Sequence, residues 1–385
     1  MRILPQLITF LLPVALLLQC TAPGARQPVG NTAADPTNAY VGTYTRDEGW
    51  VHGKAEGIYR LTFADDGSVV GKELIDEVVN PSFVLESADG KYLYAVSELA
   101  RADEPTGYLH MLEIGKDHAT VTRLSTEGKA PCHIAEDRTG RWIVTSTYVG
   151  GTARLFRRTP AGLLEATDLF VAPRDLVPGK VPHLHSARFA PDNRTVAVAD
   201  LGLDRVWLFT LDAAAGKLLP HPQGYVAMAA GAGPRHTEWS ADGRFLYVIN
   251  ELDYTVSVVA HDAAADRFTV AQTLSTLPAD YDGKNSCADV HLHPNGRFLY
   301  GSNRGHNSIA IFSVDAKTGR LAAAGHHPTG GDFPRNFAIA PGGKTMYVAN
   351  QNTDNVTVHT LDPKTGQLTA TGQSFAVPTP VCLDF

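Results

Sequence analysis

The sequence predicts an all-β fold, a seven-bladed β-propeller of four-stranded antiparallel blades closed by pairing of the N- and C-terminal strands. Two observations predict it. The first is an internal repeat. A turn-and-strand core recurs at Ser87–Ser97, Glu136–Ser146, Ala190–Asp200, Ser240–Asn250, His293–Asn303 and Ala340–Asn350. Its turn residues, Gly90, Gly140, Asn193, Gly243, Gly296 and Gly343, are spaced by 50, 53, 50, 53 and 47 residues. Six copies of a four-strand unit at such a period spell a ring of radially repeated sheets. The second observation lies outside the copies. Tyr40–Thr45, Gly57–Phe63 and Val69–Ile75 read as three strands before the first copy, and Val381–Phe385 as one strand after the last. Together they make a seventh blade, and its assembly from both ends removes the open sheet edge.

The stretch Gly233–His261 shows how one blade is written. His236–Ser240 reads as a first strand, closed by the hairpin signal Ala241–Gly243. Phe245–Asn250 is an apolar second strand and Thr255–His261 a third that alternates small polar residues with Val. Arg267–Thr273 reads as the fourth. Antiparallel pairing sets the end of the second strand beside the start of the first. Arg235 and His236 therefore share one sheet edge with Asn250 and Glu251.

The same geometry applies to every copy. One rim of the ring collects Glu98, then His133 and Tyr148, then His183, His185 and Asp200. Arg235, His236, Asn250 and Glu251 follow, then Asp289, Asn303, Arg304 and His306, then Arg335, Asn336, Asn350 and Gln351. The opposite rim carries short turns that repeat with little variation. Asn250, Asn303 and Asn350 stand at equivalent points, the mark of a repeated turn role. Cations, imidazoles and carboxylates converge at the varied rim, which is where a ligand site is expected. His133, Tyr148, His183, His236, Asn303, His306 and Arg335 are read there as substrate-binding.

Composition narrows the function. The 385 residues carry a formal net charge of -7 with no basic run, which argues against nucleic acid as a partner. Residues 1–20 read as a signal peptide, with Arg2 as its only charged n-region residue and Ile8–Leu18 as its apolar core, interrupted by Pro13. Leu17–Thr21 resembles a bacterial lipobox, in which Cys20 would carry lipid; simple cleavage slightly downstream is the alternative. Residues 21–37 are rich in Ala, Pro, Gly and Thr and read as a tether, leaving 38–385 as the propeller domain. The expectation is an exported bacterial protein, periplasmic or at the outer membrane or cell surface, monomeric, and touching membrane only through such an anchor. Cys132, Cys287 and Cys382 are scattered over distant blades; they read as buried thiols, neither a disulfide framework nor a zinc set.

Tyr40–Thr45, Gly233–His236, Asn250-Glu251, Ser302–Ala310, Phe333–Phe337 and the ending Pro380–Phe385 resemble the seven-bladed lactonase family. That family includes propeller-type 6-phosphogluconolactonases and fungal carboxy-cis,cis-muconate cyclases. The resemblance covers roughly residues 38–385 and implies catalytic positions at His185, Arg235, Glu251 and Arg304, with His183 competing with His185 in the run His183-Leu-His185. Cytoplasmic members act on 6-phosphogluconolactone; the leader puts that substrate in doubt more than the reaction type.

The residues themselves fit ring opening without a covalent step. There is no G-x-S-x-G elbow, no H-E-x-x-H helix and no Walker loop. Asp280–Gly283 echoes a calcium loop without its remaining ligands. Lactone hydrolysis needs a base for water and a stabiliser for the developing oxyanion. Glu251 or His185 would supply the first; Arg235 and Arg304 would polarise the carbonyl or bind a substrate carboxylate or phosphate. The expected ligand is a small sugar lactone, with no cofactor and no metal. A carboxymuconate-type cyclase using the same residues, and a propeller that only binds a sugar acid or a protein, are the alternatives.

Overall fold

The repeat is visible first in its turns. In each copy the N–H of the fourth turn residue donates to the carbonyl of the first: Gly90 to Ser87, Gly140 to Asp137, Asn193 to Ala190, Gly243 to Ser240, Gly296 to His293 and Gly343 to Ala340, all at 2.7–2.9 Å. The six donors hold φ between 61° and 71°. This left-handed region is free to glycine and tolerated by asparagine, which is why Asn193 can stand in the series.

These turns belong to a computed structural model that describes residues 38–385 except 65, 66, 116, 117 and 119. The leader, Cys20 and tether expectations lie outside the described residues. Among those residues, the strands form seven antiparallel sheets of four strands each. Blades two to seven each run in chain order from an inner to an outer strand, with inner strands Val84–Glu86, Pro131–Glu136, Leu184–Phe189, Pro234–Trp239, Ser286–Leu292 and Pro334–Ile339. Blade one is assembled from both ends. Its inner strand is Pro380–Asp384, paired antiparallel with Asn38–Thr43, and Ile58–Phe63 and Val69–Asp76 complete it. Tyr40 faces Asp384 and Gly42 faces Cys382. Gly42 admits no side chain: a Cβ there would lie 2.5 Å from the carbonyl oxygen of Pro81.

Apolar side chains fill the space between neighbouring blades. Tyr94, Leu109, Ile134, Ile143 and Phe156 pack between blades two and three, and Trp142, Val144, Leu184, Val198 and Phe209 between three and four. A tyrosine in the second strand of three successive blades adds a polar tie to the next blade. Tyr247 donates to the carbonyl of Gly319, Tyr300 to that of Gly366, and Tyr347 to that of Gly67, at 3.0–3.2 Å. A buried phenol needs such a partner, and here the partner is a turn carbonyl one blade on. The ring they hold together leaves a channel lined by the inner strands.

Candidate active site

A backbone irregularity at the start of the inner strands builds the site. The pairing register breaks between Pro131 and His133, Leu184 and Ser186, Pro234 and His236, and Pro334 and Asn336. The residues passed over are Cys132, His185, Arg235 and Arg335. Blade six passes over Ala288 and Asp289, and blade one Val381. A bulged residue leaves the ladder and its side chain is re-aimed. Here the re-aimed side chains turn toward the ring axis. Cys132, His185 and Arg335 line a cavity of about 590 Å³, together with Glu98, Tyr148, Glu251, Arg304, Trp50 and Phe333.

An ion cluster forms its wall. Glu251 Oε2 is ion-paired with Arg235 Nε and its Oε1 with Arg304 Nη2, each at 2.9 Å. Both arginines are also tied to main chain: Arg235 Nη1 donates to the carbonyl of Ala288, and Arg304 Nη2 to that of Cys287 at 2.8 Å. Burial raises the pKa of the Glu251 carboxyl, but Arg304, Arg235 and Arg335 outweigh it and hold the group below its ordinary value. Arg235 is 2% exposed, and burial with its two arginine neighbours lowers it to about 10, still charged near neutrality. Arg335 makes a looser contact. Its Nη2 donates to Tyr44 Oη at 3.1 Å, and that hydroxyl donates to Glu98 Oε2 at 2.8 Å.

His185 lies across the cavity, buried, with Nδ1 3.8 Å from Cys132 Sγ. Among the described residues its Nε2 has no hydrogen-bond partner. Burial first, then Arg235, His236 and Arg335, hold its pKa well below the usual histidine value, so the ring is neutral. His183 is placed differently. Its ring stacks on Tyr148 at 4.2 Å and its Nδ1 donates to the Tyr148 carbonyl at 2.9 Å. It buttresses the tyrosine from behind and does not line the cavity.

Four more expected ligand contacts sit elsewhere. His133 and His236 follow the bulged residues and point the other way, into a second cavity of about 310 Å³ farther along the inner strands. The Asn303 amide donates to the carbonyl of Thr276 at 2.8 Å and to Ser308 Oγ at 3.3 Å. Asn250 and Asn350 likewise reach hydroxyls of the next strand, Thr255 and Thr357, so the repeated turn reading of these asparagines stands. His306 packs against Tyr281 and His326, outside the cavity. Conversely, Cys132, Trp50 and Phe333 line the cavity without having been read as site residues, and Glu98, placed on the rim, lines it without having been given a role. Glu98 was legible as the counterpart of Glu251 at a second-strand end. Trp50 belongs to the connection between Thr43 and Ile58, which is longer than the corresponding connection in any other blade.

With this geometry in place, relatives become informative. The profile of the seven-bladed beta-propeller lactonase family matches residues 38–385. The chain belongs to that family. This lactonase-family chain is 31% identical over 353 residues to a 6-phosphogluconolactonase of Bacillus subtilis, covering 90% of this chain and 97% of the relative. A 6-phosphogluconolactonase of Formosa agariphila is 32% identical over 276 residues, 69% of this chain and 76% of that one. Among solved structures, the periplasmic gluconolactonase of Pseudomonas aeruginosa superposes with a TM-score of 0.82 at 31% identity, covering 90% of this chain and 98% of its own.

Proposed function

We propose that this chain hydrolyses the ring ester of an unphosphorylated sugar-acid lactone, outside the cytoplasm and without a metal ion. The observation that carries the reading is one cavity holding both parts the reaction needs: a neutral imidazole with an open nitrogen, His185, and a guanidinium with unspent donors, Arg335. His185 Nε2 takes a proton from water as the oxygen adds to the carbonyl carbon. The resulting oxyanion is stabilised by the arginines. Collapse breaks the ring C–O bond, and the leaving alkoxide recovers the proton from the imidazolium. Water is consumed and a hydroxy acid is released. Glu251 is a poor base in this setting, since both oxygens are engaged and its proton affinity is reduced. Its part is to hold Arg235 and Arg304 in fixed planes.

The relatives named 6-phosphogluconolactonase and periplasmic gluconolactonase support the reaction class. The signal-peptide reading of residues 1–20 favours the unphosphorylated substrate, because sugar phosphates are cytoplasmic species. Hydrolysis of glucono-δ-lactone, 6-phosphogluconolactone and a muconolactone, measured at mildly acidic pH with a chelator present, tests the proposal. Turnover of glucono-δ-lactone ahead of the other two, insensitive to chelator, is expected. Turnover at the spontaneous rate for all three sinks the reading. Cell fractionation of the full chain beside Cys20→Ala tests the location and the anchor.

A further inference from the structure

The ion cluster in the cavity is joined to a second set of charges deeper in the channel, and His236 is the join. Its Nδ1 lies 2.7 Å from Asp289 Oδ1 and its Nε2 lies 3.2 Å from Arg235 Nη1. A carboxylate only accepts and a guanidinium only donates. One tautomer serves both neighbours: Nδ1–H donates to Asp289, and the Nε2 lone pair accepts from Arg235. A proton on Nε2 would set one N–H against another. Around the ring the charged groups are Arg235 and Asp289 in contact and Arg188 farther off. The rings of His133, His185 and Phe83 pack around it at 5.2, 5.3 and 6.3 Å.

Asp289 is itself one of the residues passed over by the blade-six bulge. Every oxygen is used. Oδ1 also accepts from the N–H of Val290 at 3.0 Å, and Oδ2 accepts from His291 Nε2 at 2.9 Å and from Asn336 Nδ2. Asn336 Oδ1 then accepts from the N–H of Leu383 at 2.7 Å. The carboxylate is thus held rigidly by blades six and seven, with a link on to blade one, before it touches the imidazole of blade five.

We propose that Asp289, acting through His236, is a positioning residue for Arg235. It fixes the imidazole tautomer that accepts Arg235 Nη1–H, and so keeps the guanidinium turned with Nε toward Glu251. The role rests on the cavity being the place of lactone hydrolysis. Without an acceptor at His236 Nε2, Nη1 keeps only the Ala288 carbonyl, and the plane is free to swing Nε away from the carboxylate.

The competing account makes Asp289 a mechanical staple between blades, and two variants separate the accounts. Asp289→Asn keeps the shape but offers His236 an N–H, which admits the other tautomer. Asn336→Ala removes a bond to the same carboxylate and the tie to blade one, but leaves the His236–Arg235 contact alone. For Asp289→Asn, kcat should fall on the order of tenfold to a hundredfold with KM little changed. For Asn336→Ala, Tm should drop while kcat stays within about twofold of the parent. Nitrogen-15 NMR of histidine-labelled protein should show the proton of His236 on Nδ1 in the parent and in Asn336→Ala, and on Nε2 in part of Asp289→Asn. Parent-like kcat in Asp289→Asn, an equal kcat loss in both variants, or a parent His236 protonated on Nε2 would each overturn the assignment. Should Asp289→Asn fail to fold, the parent tautomer alone decides. A parent chain that hydrolyses no lactone removes the functional reading and leaves the tautomer measurement intact.

Discussion

The two rims of this ring begin from the same backbone and end differently. At one, six turns repeat a single hydrogen bond and a single left-handed residue. At the other, the inner strands repeat a register break, and the residue it frees changes from blade to blade: Val381, Cys132, His185, Arg235, Ala288 and Arg335. Repetition of geometry at the second rim gives equivalent vectors toward the axis. Variation of residue type on those vectors gives the chemistry. A fold can therefore keep its stability devices and its reactive devices at opposite ends of the same strands.

The largest break in that contrast is expected from Glu251→Gln at the varied rim. The neutral amide no longer compensates Arg235 and Arg304, and kcat/KM for gluconolactone should fall on the order of a thousandfold. His185→Gln should cost about a hundredfold in kcat, the share of a positioned base. The same residue predicts a pH profile. The base works unprotonated and its pKa lies below the ordinary histidine value, so the enzymatic rate should stay level from neutral pH down through about 6.5 and fall only in more acid solution. A half-maximal point above that value would contradict the assignment. Tyr44→Phe removes the hydroxyl between Arg335 and Glu98, and KM should rise by about threefold with kcat retained. At the constant rim, Gly243→Ala should leave steady-state kinetics untouched. Its Cβ meets Pro191 only at an ordinary 3.6 Å, so the cost is the left-handed backbone, about 1 kcal/mol, read as a lowered Tm.

What was legible in the sequence divides along the same line. The turns were readable residue by residue, because a left-handed position restricts the choice to Gly or Asn. The closing strand was readable because blade one lacked a member. The rim was readable as a neighbourhood, since antiparallel pairing alone brings Glu251 to Arg235. Which side chain of a neighbouring pair enters the cavity was not. That depends on a register break, and nothing in Pro131–His133 or Leu184–Ser186 announces one. The break is why Cys132 and not His133 lines the cavity. It also settles His185 over His183 as the residue facing it. The arginines show a second kind of illegibility. Arg235 and Arg304 looked available for substrate, yet their donors go to Glu251 and to carbonyls, and Arg335 is left with the most freedom. Competition for hydrogen bonds is a property of the packed state.

The closure of blade one has a consequence in time. Asn38–Thr43 is among the first strands to be made, and its inner partner, Pro380–Asp384, comes after every other strand. Contacts so distant in sequence form slowly. Until they form, blade one has a bare inner edge and Cys382 cannot pack against Val84. A chain without Pro380–Asp384 forms a ring that cannot lock. Val381 also stands among the axis-facing residues beside Arg235 and Arg335. Pro380–Asp384 thus closes the ring and supplies a wall of the small pocket beside Arg235 and Arg335, so the same strand serves the fold and the surroundings of the arginines.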